Sequence, residues 1–210
     1  MTNTPSTSPN ALDPQLTDED QARAGYYAIL GRLFTAAPDA AFLQALGGAP
    51  ALAEVPDQPL PQAWNRLVEA SRVMDADAAA QEYTDLFIGV GKAECNLHAS
   101  YWVRDTARRP LVAVRDDLAR LGISRASHST VYEDHLGALC ETMRFLVAGV
   151  PGRDPAPIAV QKSFFESNIG PWALICVGSI GKCAVANYYA RVAEFGSAFL
   201  AIERDSLAID

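Results

Sequence analysis

The residue pair with the most suggestive chemistry is Asp134-His135, at the start of a strongly periodic apolar run. An acidic side chain in the first turn of a helix is stabilised by the helix dipole, and an adjacent histidine can change its protonation near neutral pH. Such a pair suits a protonation switch or the start of a divalent metal site. On spacing alone, the simpler interpretation is a capping acid beside a partly buried histidine.

A complete metal site is poorly supported by the remaining candidate ligands. Beside Asp134 and His135, only His98 and His128 supply imidazoles, and neither stands in an HxxxH or HExxH arrangement. Cys95 and His98 are three residues apart and could share a metal from one helical turn. Because two ligands do not complete a site, a helical metal-dependent hydrolase using Asp134 and His135 is kept only as an alternative.

Other catalytic and phosphate-binding motifs are incomplete. Ser100 lacks the GxSxG frame of an activated nucleophile. The segment Gly89-Val90-Gly91 lacks the third glycine, the strand and the lysine of a phosphate-binding loop. Arg108-Arg109 is a twin arginine in the middle of the chain, with no suitable apolar segment after it. We therefore interpret that pair as solvated arginines or a helix start.

The stretch from residue 83 to residue 102 combines a helix end with an apolar loop. Gly89 ends the helical pattern, and the loop that follows carries few charges. Exposed loops are usually polar, so this one must either pack back on the body or receive a partner. A groove beside it would suit an apolar peptide that carries arginines. The large apolar side chains of the stretch are Tyr83, Leu86, Phe87, Leu97, Tyr101 and Trp102.

The elements that position these side chains are predicted to be helices, because apolar residues recur at three- and four-residue intervals along most of the chain. Alanine is abundant, and no segment alternates strictly between apolar and polar residues. The sequence predicts an all-α, single-domain bundle of about eight to ten helices. Thr17 and Asp39 are predicted N-caps. The clearest helical runs are about 18–37, 40–46, 61–71, 78–88, 110–121, 136–148, 158–169 and 184–204.

Composition limits the partners and the compartment. Seventeen Lys and Arg against 25 Asp and Glu give a net charge of −8, which disfavours nucleic-acid binding and favours a cationic partner. No window approaches the roughly 18 consecutive apolar residues needed to span a bilayer, so we expect a cytoplasmic protein with no stable membrane insertion. The four cysteines form no CxxC pair and are interpreted as buried thiols in a reducing compartment.

Two segments interrupt the predicted helical domain. Residues 1–16 are rich in Thr, Ser, Pro and Asn and are predicted to be a disordered leader, which leaves 17–210 as the folded domain. Residues 149–157 are rich in Pro and Gly and resemble a hinge. Exchange of helices across that hinge would give a dimer, so both a monomer and a domain-swapped dimer stay open.

Five motifs follow one another along the chain: Tyr83-x-x-Leu86-Phe87-x-Gly89-x-Gly91, His98-Ala99-Ser100-Tyr101, Glu133-Asp134-His135-Leu136, Gln161-x-x-Phe164-Phe165 and Pro171-Trp172. In this order they resemble those of the TorD/DmsD/NarJ family of redox-enzyme maturation chaperones. The resemblance covers residues from about 26 to 203. Val90 departs from the family's Gly-Pro-Gly, and Val131-Tyr132 replaces the beginning of its Glu-Pro-x-Asp-His run.

This resemblance implies a client-specific chaperone that is not an enzyme and needs no cofactor. Its partner would be the catalytic subunit of an apo-molybdoenzyme and its twin-arginine signal peptide, held until the molybdenum cofactor is inserted. Asp134 would meet an arginine of the signal through a charge-assisted bond. A regulatory module that binds a small ligand in the same groove is a further alternative. The residues implied in peptide binding are Tyr83, Leu86, Phe87, Ser100, Tyr132, Asp134 and His135.

Overall fold

The computed structural model describes residues 16–89, 93–104, 109–125 and 130–209. Within these residues the chain is all-α, with ten α-helices, one π-helical turn and no β-strand, which confirms the predicted helical bundle. The α-helices are α1 (Asp18–Thr35), α2 (Ala40–Gly47), α3 (Pro59–Val73), α4 (Ala76–Tyr83), α5 (Ala99–Trp102), α6 (Pro110–Arg120), α7 (Leu136–Ala148), α8 (Ile158–Asn168), α9 (Ala173–Ile180) and α10 (Tyr188–Ile209). The π-helical turn, Thr84–Ile88, directly follows α4.

Some predictions concern residues outside the described part of the chain. They include the leader up to residue 15, Val90, Gly91, Arg108 and His128. The division into a leader and a folded domain therefore stays a prediction.

Local capping explains where the first helices begin. The Thr17 hydroxyl accepts a hydrogen bond from the Asp20 N–H at 3.0 Å, and the Asp39 carboxylate accepts one from the Phe42 N–H at 2.8 Å. Both predicted N-caps are confirmed. Helix α3 begins at Pro59, two residues before the predicted start at Pro61. Both prolines fit in the first turn, where a helix needs no backbone donor.

Helices α1 and α7 pack together through two glycines. A Cβ atom on Gly137 would lie 2.6 Å from the Thr35 Cγ2 and 3.0 Å from the Gly31 carbonyl oxygen. A Cβ on Gly31 would lie 2.7 Å from a Glu141 carboxylate oxygen. The absence of side chains at both positions therefore allows the two backbones to approach closely, and fixes the position of α7 against the core.

Helix α10 carries its predicted buried stripe, but it begins at Tyr188 instead of Ala184. The reason is a long-range cap. Glu82, at the end of α4, accepts hydrogen bonds from the backbone N–H groups of Asn187, Tyr188 and Tyr189 at 2.8, 3.1 and 2.7 Å. This carboxylate holds the end of α4 against the start of α10. The buried residues of the stripe are Tyr188, Val192, Phe195, Phe199 and Leu200.

A second buried carboxylate joins helix α10 to helix α1. Glu203 of α10 accepts hydrogen bonds from the Arg23 Nε at 2.7 Å and from the Tyr27 hydroxyl at 2.9 Å, both on α1. Arg23 also reaches Gln161 of α8 at 3.1 Å. The Glu203 carboxylate and the Arg23 guanidinium therefore both have hydrogen-bond partners inside the bundle.

Among the described residues, no helix has the length and hydropathy to cross a membrane.

The predicted hinge at 149–157 connects α7 to α8 as a compact turn. Val150 and Arg153 exchange backbone hydrogen bonds at 2.9 and 2.8 Å, and the Ala156 N–H donates to the Leu146 carbonyl at 2.8 Å. The Arg153 guanidinium also donates to the Leu121 carbonyl at the end of α6, at 2.6 Å. These bonds close the turn against α6 and α7. Exchange of helices across this segment stays a prediction.

Candidate functional site

Helix α4 is followed directly by the π-helical turn, whereas the sequence predicted one α-helix that continues to Gly89. The Gly89 N–H donates to the Thr84 carbonyl at 2.7 Å, and Gly89 has a φ of 64°, a conformation that favours glycine. Short π-helical turns are often found at functional sites. Here the turn buries Leu86 completely and leaves Phe87 half-buried and Ile88 exposed.

Aromatic packing fixes the side chains of this turn. The Phe87 ring makes edge-to-face contacts with Tyr83, Tyr189 and Phe34, at centroid distances of 5.2, 5.1 and 6.3 Å. The Tyr83 hydroxyl donates to the Phe34 carbonyl at 3.2 Å. Each aromatic pair of this kind contributes about 0.5–1.5 kcal/mol beyond its area burial. Tyr83 and Phe87 are therefore rigid, half-buried groups.

The apolar loop after Gly89 packs back on the body in its described part. The Cys95 N–H donates to the Leu86 carbonyl at 2.9 Å, and the Leu97 carbonyl accepts from the Leu136 N–H at 2.7 Å. The indole N–H of Trp102 donates to the Asn96 carbonyl at 2.7 Å. Residues 93–98 thus form a strap between the π-helical turn and the start of α7.

Asp134 stabilises the short helix α5 instead of lying in the first turn of α7. Its carboxylate accepts a hydrogen bond from the Ser100 N–H at 3.1 Å, and its backbone carbonyl accepts one from the Ala99 N–H at 2.9 Å. The residue is only 1% exposed. The carboxylate is therefore used inside the protein, and an arginine cannot reach it in this conformation.

His135 is the N-cap of α7 and packs against His98. Its Nδ1 accepts a hydrogen bond from the Gly137 N–H at 3.1 Å, so the neutral ring carries its proton on Nε2. The centroids of the two imidazole rings are 4.9 Å apart. Burial, and then the neighbouring His98, lower the pKa of His135 to about 4, although Asp134 acts in the opposite direction. His135 is therefore neutral near pH 7, so the expected protonation switch is moved well below neutral pH.

A pocket of about 280 Å³ lies between the π-helical turn, the strap and the start of α7. Three elements form its wall: the end of α4 with the π-helical turn, the strap 93–98, and the segment 130–135 that leads into α7. The lining is largely apolar and aromatic, with imidazole groups at one side. Of the predicted site residues, the pocket brings together Tyr83, Phe87, Tyr132 and His135.

The other predicted site residues lie elsewhere. Leu86 and Asp134 are buried beneath the wall, and Ser100 is exposed on α5 outside the lining. Leu86 supports the wall through its carbonyl, which holds Cys95, and Asp134 supports it through α5.

Sequence reasoning missed Ile88, which lines the pocket and is 61% exposed. A regular helix ending at Gly89 gives no reason to single it out, and only the π-helical turn presents it. Two exposed carboxylates also lie on the segments that form the wall. They are Asp85 in the π-helical turn and Glu94 in the strap. Neither side chain lines the pocket, but both carry negative charge on segments that form its wall, and we refer to these two residues as the rim.

A larger cavity of about 470 Å³ lies next to this pocket, between α1, α6 and α7. Val131 lines both cavities. The larger one contains paired charges: Glu133 binds Arg115 at 3.0 Å, and Glu141 binds Arg144 at 2.8 Å. None of the predicted site residues lines it.

The described residues contain no group of three or more His, Cys, Asp and Glu side chains that could hold a metal ion. Cys95 and His98, the pair considered from the sequence, face different partners. The Cys95 sulfur faces Cys183 and the His98 ring faces His135.

The family model described as nitrate reductase delta subunit matches residues 54–177. Because this range is more than half of the chain, the protein belongs to the nitrate reductase delta subunit family, whose NarJ/TorD-like members are redox-enzyme maturation chaperones. The family acts on molybdoenzymes and consists of chaperones, not catalysts. No curated protein sequence matches the chain. All three segments that form the smaller pocket lie inside the matched range.

Proposed function

We propose that this chaperone binds a signal peptide, or a remnant of one, on the catalytic subunit of an apo-molybdoenzyme, and that the 280 Å³ pocket is where it binds. The client would be held in the cytoplasm until its molybdenum cofactor is inserted. Membership of the family supports this class of client, and the apolar lining of the pocket supports this place of contact. The alternatives of a hydrolase and a small-ligand module have no comparable support.

One observation carries the proposal. The predicted site residues Tyr83 and Phe87 are more than 40 residues away from Tyr132 and His135 in the sequence, yet all four line one pocket. Core residues chosen by periodicity alone would be buried in the bundle, as Leu86 is. The half-buried positions of Tyr83 and Phe87 leave an accessible apolar face.

The size of the pocket limits what it accepts. Cavities for small ligands usually measure roughly 300–1,000 Å³, so this one is at the lower limit. It would hold a few apolar side chains of a peptide, while the rest of the peptide lies across the surface. Exposed Ile88 and Tyr132 extend the apolar area beyond the cavity. Rigid aromatic anchors of this kind contribute most of the affinity in many interfaces.

The arginines of a signal peptide would meet the rim. Asp85 and Glu94 are exposed carboxylates on two of the wall segments, and the chain carries a net charge of −8. Opposite charges at the edge of an interface mainly raise the association rate and fix orientation. Because the Asp134 carboxylate is buried, it would act on an arginine only through its field in this conformation.

Co-purification from the native cell with matched variants tests the proposal. Ile88→Asp places a charge in the pocket, whereas Ile175→Asp places one on α9 at a residue of equal exposure, 63% against 61%. We expect the wild-type protein and Ile175→Asp to recover an apo-molybdoenzyme catalytic subunit, identified by mass spectrometry. Ile88→Asp should recover at least about tenfold less, the equivalent of 1.4 kcal/mol.

Two results would contradict this function. Equal recovery by both variants would remove the pocket as the binding site, and a recovered partner without a molybdenum-cofactor domain would remove the class of client. Circular dichroism and thermal melting of the two variants confirm that each is folded before recovery is compared.

A further inference from the structure

Two cysteines that are far apart in the sequence meet beside the pocket. Cys95 and Cys183 are separated by 88 residues, yet their sulfur atoms lie 3.0 Å apart. Both are free thiols. No CxxC motif marks this pair in the sequence.

Both backbones are held in place around the pair. The Cys95 N–H donates to the Leu86 carbonyl at 2.9 Å, and the Cys183 N–H donates to the Ile180 carbonyl at 3.0 Å in the turn after α9. A disulfide requires a sulfur–sulfur distance of about 2.05 Å, so the two sulfurs must approach by about 1 Å. Small side-chain rotations supply such a displacement without unfolding either segment.

The two thiols differ in access to solvent. Cys95 is buried, whereas Cys183 is half-buried in the α9–α10 connection. Burial, and then the hydrogen bond with Cys183, raise the pKa of Cys95 to about 12. Cys95 therefore remains protonated, and Cys183 is the thiol that an oxidant reaches first.

We propose that Cys95 and Cys183 are a modification site that forms a reversible disulfide when the protein meets a hydroperoxide. The Cys183 sulfur attacks the peroxide, whose O–O bond breaks to give a sulfenic acid on Cys183 and one water or alcohol. The Cys95 sulfur then attacks the Cys183 sulfur, and the hydroxyl leaves as water with the Cys95 proton. Two thiols are oxidised, one peroxide is reduced, and a dithiol reductant restores the pair.

The remaining two cysteines are poorly placed for this reaction. Cys140 lies fully buried on α7, and Cys176 lies fully buried on α9, where its thiol contacts the Asn96 carbonyl at 3.4 Å. Selectivity for the Cys95–Cys183 pair thus follows from access and geometry.

The disulfide would change the wall of the pocket. Cys95 belongs to the strap and lines the pocket, whereas Cys183 belongs to the connection between α9 and α10. A covalent bond would tie these two elements together, and it would close a loop of about 88 residues. Such a loop reduces the entropy of the unfolded chain, so the melting temperature should rise by roughly 5–10 °C.

Peptide mapping of the full chain tests the proposal directly. The reduced protein is treated with hydrogen peroxide, its remaining thiols are alkylated, and it is digested with trypsin without reductant. Cleavage after Lys92, Arg104, Lys182 and Arg191 places Cys95 in peptide 93–104 and Cys183 in peptide 183–191. We expect these two peptides joined with the loss of two hydrogens, the higher melting temperature, and reversal of both by dithiothreitol.

Variants separate this outcome from others. Cys183→Ser and Cys95→Ser should each abolish the cross-link and the thermal shift, whereas Cys140→Ser should retain both. Three results would overturn the proposal: no cross-link in folded wild-type protein, a cross-link between peptide 93–104 and the Cys176 peptide 163–182, or conversion of Cys183 to sulfinic acid with Cys95 still alkylated. None of these readouts depends on peptide binding, so the proposed function can fail independently.

Discussion

Helices α1 and α7 meet along regular helical faces, whereas the pocket beside them is bounded mainly by residues outside regular α-helices. The α1–α7 contact depends on close backbone approach at Gly31 and Gly137. The pocket wall depends on long-range hydrogen bonds, such as those from the Cys95 N–H to the Leu86 carbonyl and from the Leu136 N–H to the Leu97 carbonyl. Changes in the first region should alter the stability of the whole domain. Changes in the second should act locally and on binding.

The largest effect is expected from Gly137→Val. A Cβ at this position would already lie 2.6 Å from the Thr35 Cγ2, so α1 and α7 must separate. We expect the free energy of unfolding to fall by about 3 kcal/mol, measured by urea denaturation. Gly178→Ala on α9 is the control, because nothing lies within 4 Å of its Cβ. That control should stabilise the protein by up to about 1 kcal/mol. Equal effects of both substitutions would remove the distinction between the two regions.

The next effect is a dependence of the free energy of unfolding on pH. It arises from His135, which caps α7 where the two regions meet. Its folded pKa of about 4 lies below the usual value of about 6.5, so the unfolded state binds the proton more readily. The contribution of His135 to stability is fully present above about pH 6.5 and is lost as the pH falls toward 4. We expect a loss of about 2–3 kcal/mol over that range.

His135→Asn isolates this contribution from the carboxylates that titrate in the same range. Asparagine is a good N-cap and does not titrate there. The slope of unfolding free energy against pH should therefore be smaller in the variant than in the wild type between pH 6.5 and 4. Identical slopes would show that His135 does not have the lowered pKa.

A smaller and local effect is expected from Asp134→Ala. The substitution removes the carboxylate that accepts from the Ser100 N–H, at a cost of about 1–2 kcal/mol. Amide exchange measured by NMR should accelerate at Ser100, while the Ala99 N–H keeps the Asp134 backbone carbonyl as its acceptor. Asp134→Asn retains a side-chain oxygen and should protect Ser100 better. Uniform acceleration across α1 and α7 would instead place Asp134 in the global core.

The smallest effect is expected at the rim. Glu94→Gln should weaken binding of the client segment by about two- to threefold at low salt, measured by calorimetry, and the difference should disappear at high salt. Glu69→Gln on α3 is the control, because it removes another exposed acid that does not line the pocket. A salt-independent loss, or an equal loss for Glu69→Gln, would argue against steering by the rim.

The regular region was largely predictable from the sequence, because its signals are local. The three- and four-residue spacing of Leu136, Leu139, Cys140 and Met143 defines the buried face of α7, and the caps at Thr17 and Asp39 involve residues three positions away. These interactions can be recognised within a single helical turn.

The site was predictable only in part, because its geometry depends on distant partners. The motifs identified Tyr83, Phe87 and His135, and the family resemblance implied Tyr132 at a position where the motif itself differs. The fold brings these four residues to one pocket. Periodicity gave no indication that a π-helical turn would expose Ile88 and bury Leu86. The cap that Glu82 provides for α10 joins residues 105 positions apart, and the approach of Cys95 to Cys183 joins residues 88 positions apart. No local pattern encodes either contact.

Site-specific photo-crosslinking can show which surface of this chaperone contacts the client. A benzophenone amino acid replaces Tyr132 at the pocket or, as the matched control, Tyr101 on α5, where exposure is similar at 56% and 53%. Each protein is expressed with its client in the native cell and irradiated. We expect a crosslink from position 132 to the amino-terminal signal segment of a molybdoenzyme catalytic subunit, and at most a trace from position 101. A crosslink of equal yield from both positions, or one from position 132 only to a distant mature region, would contradict it.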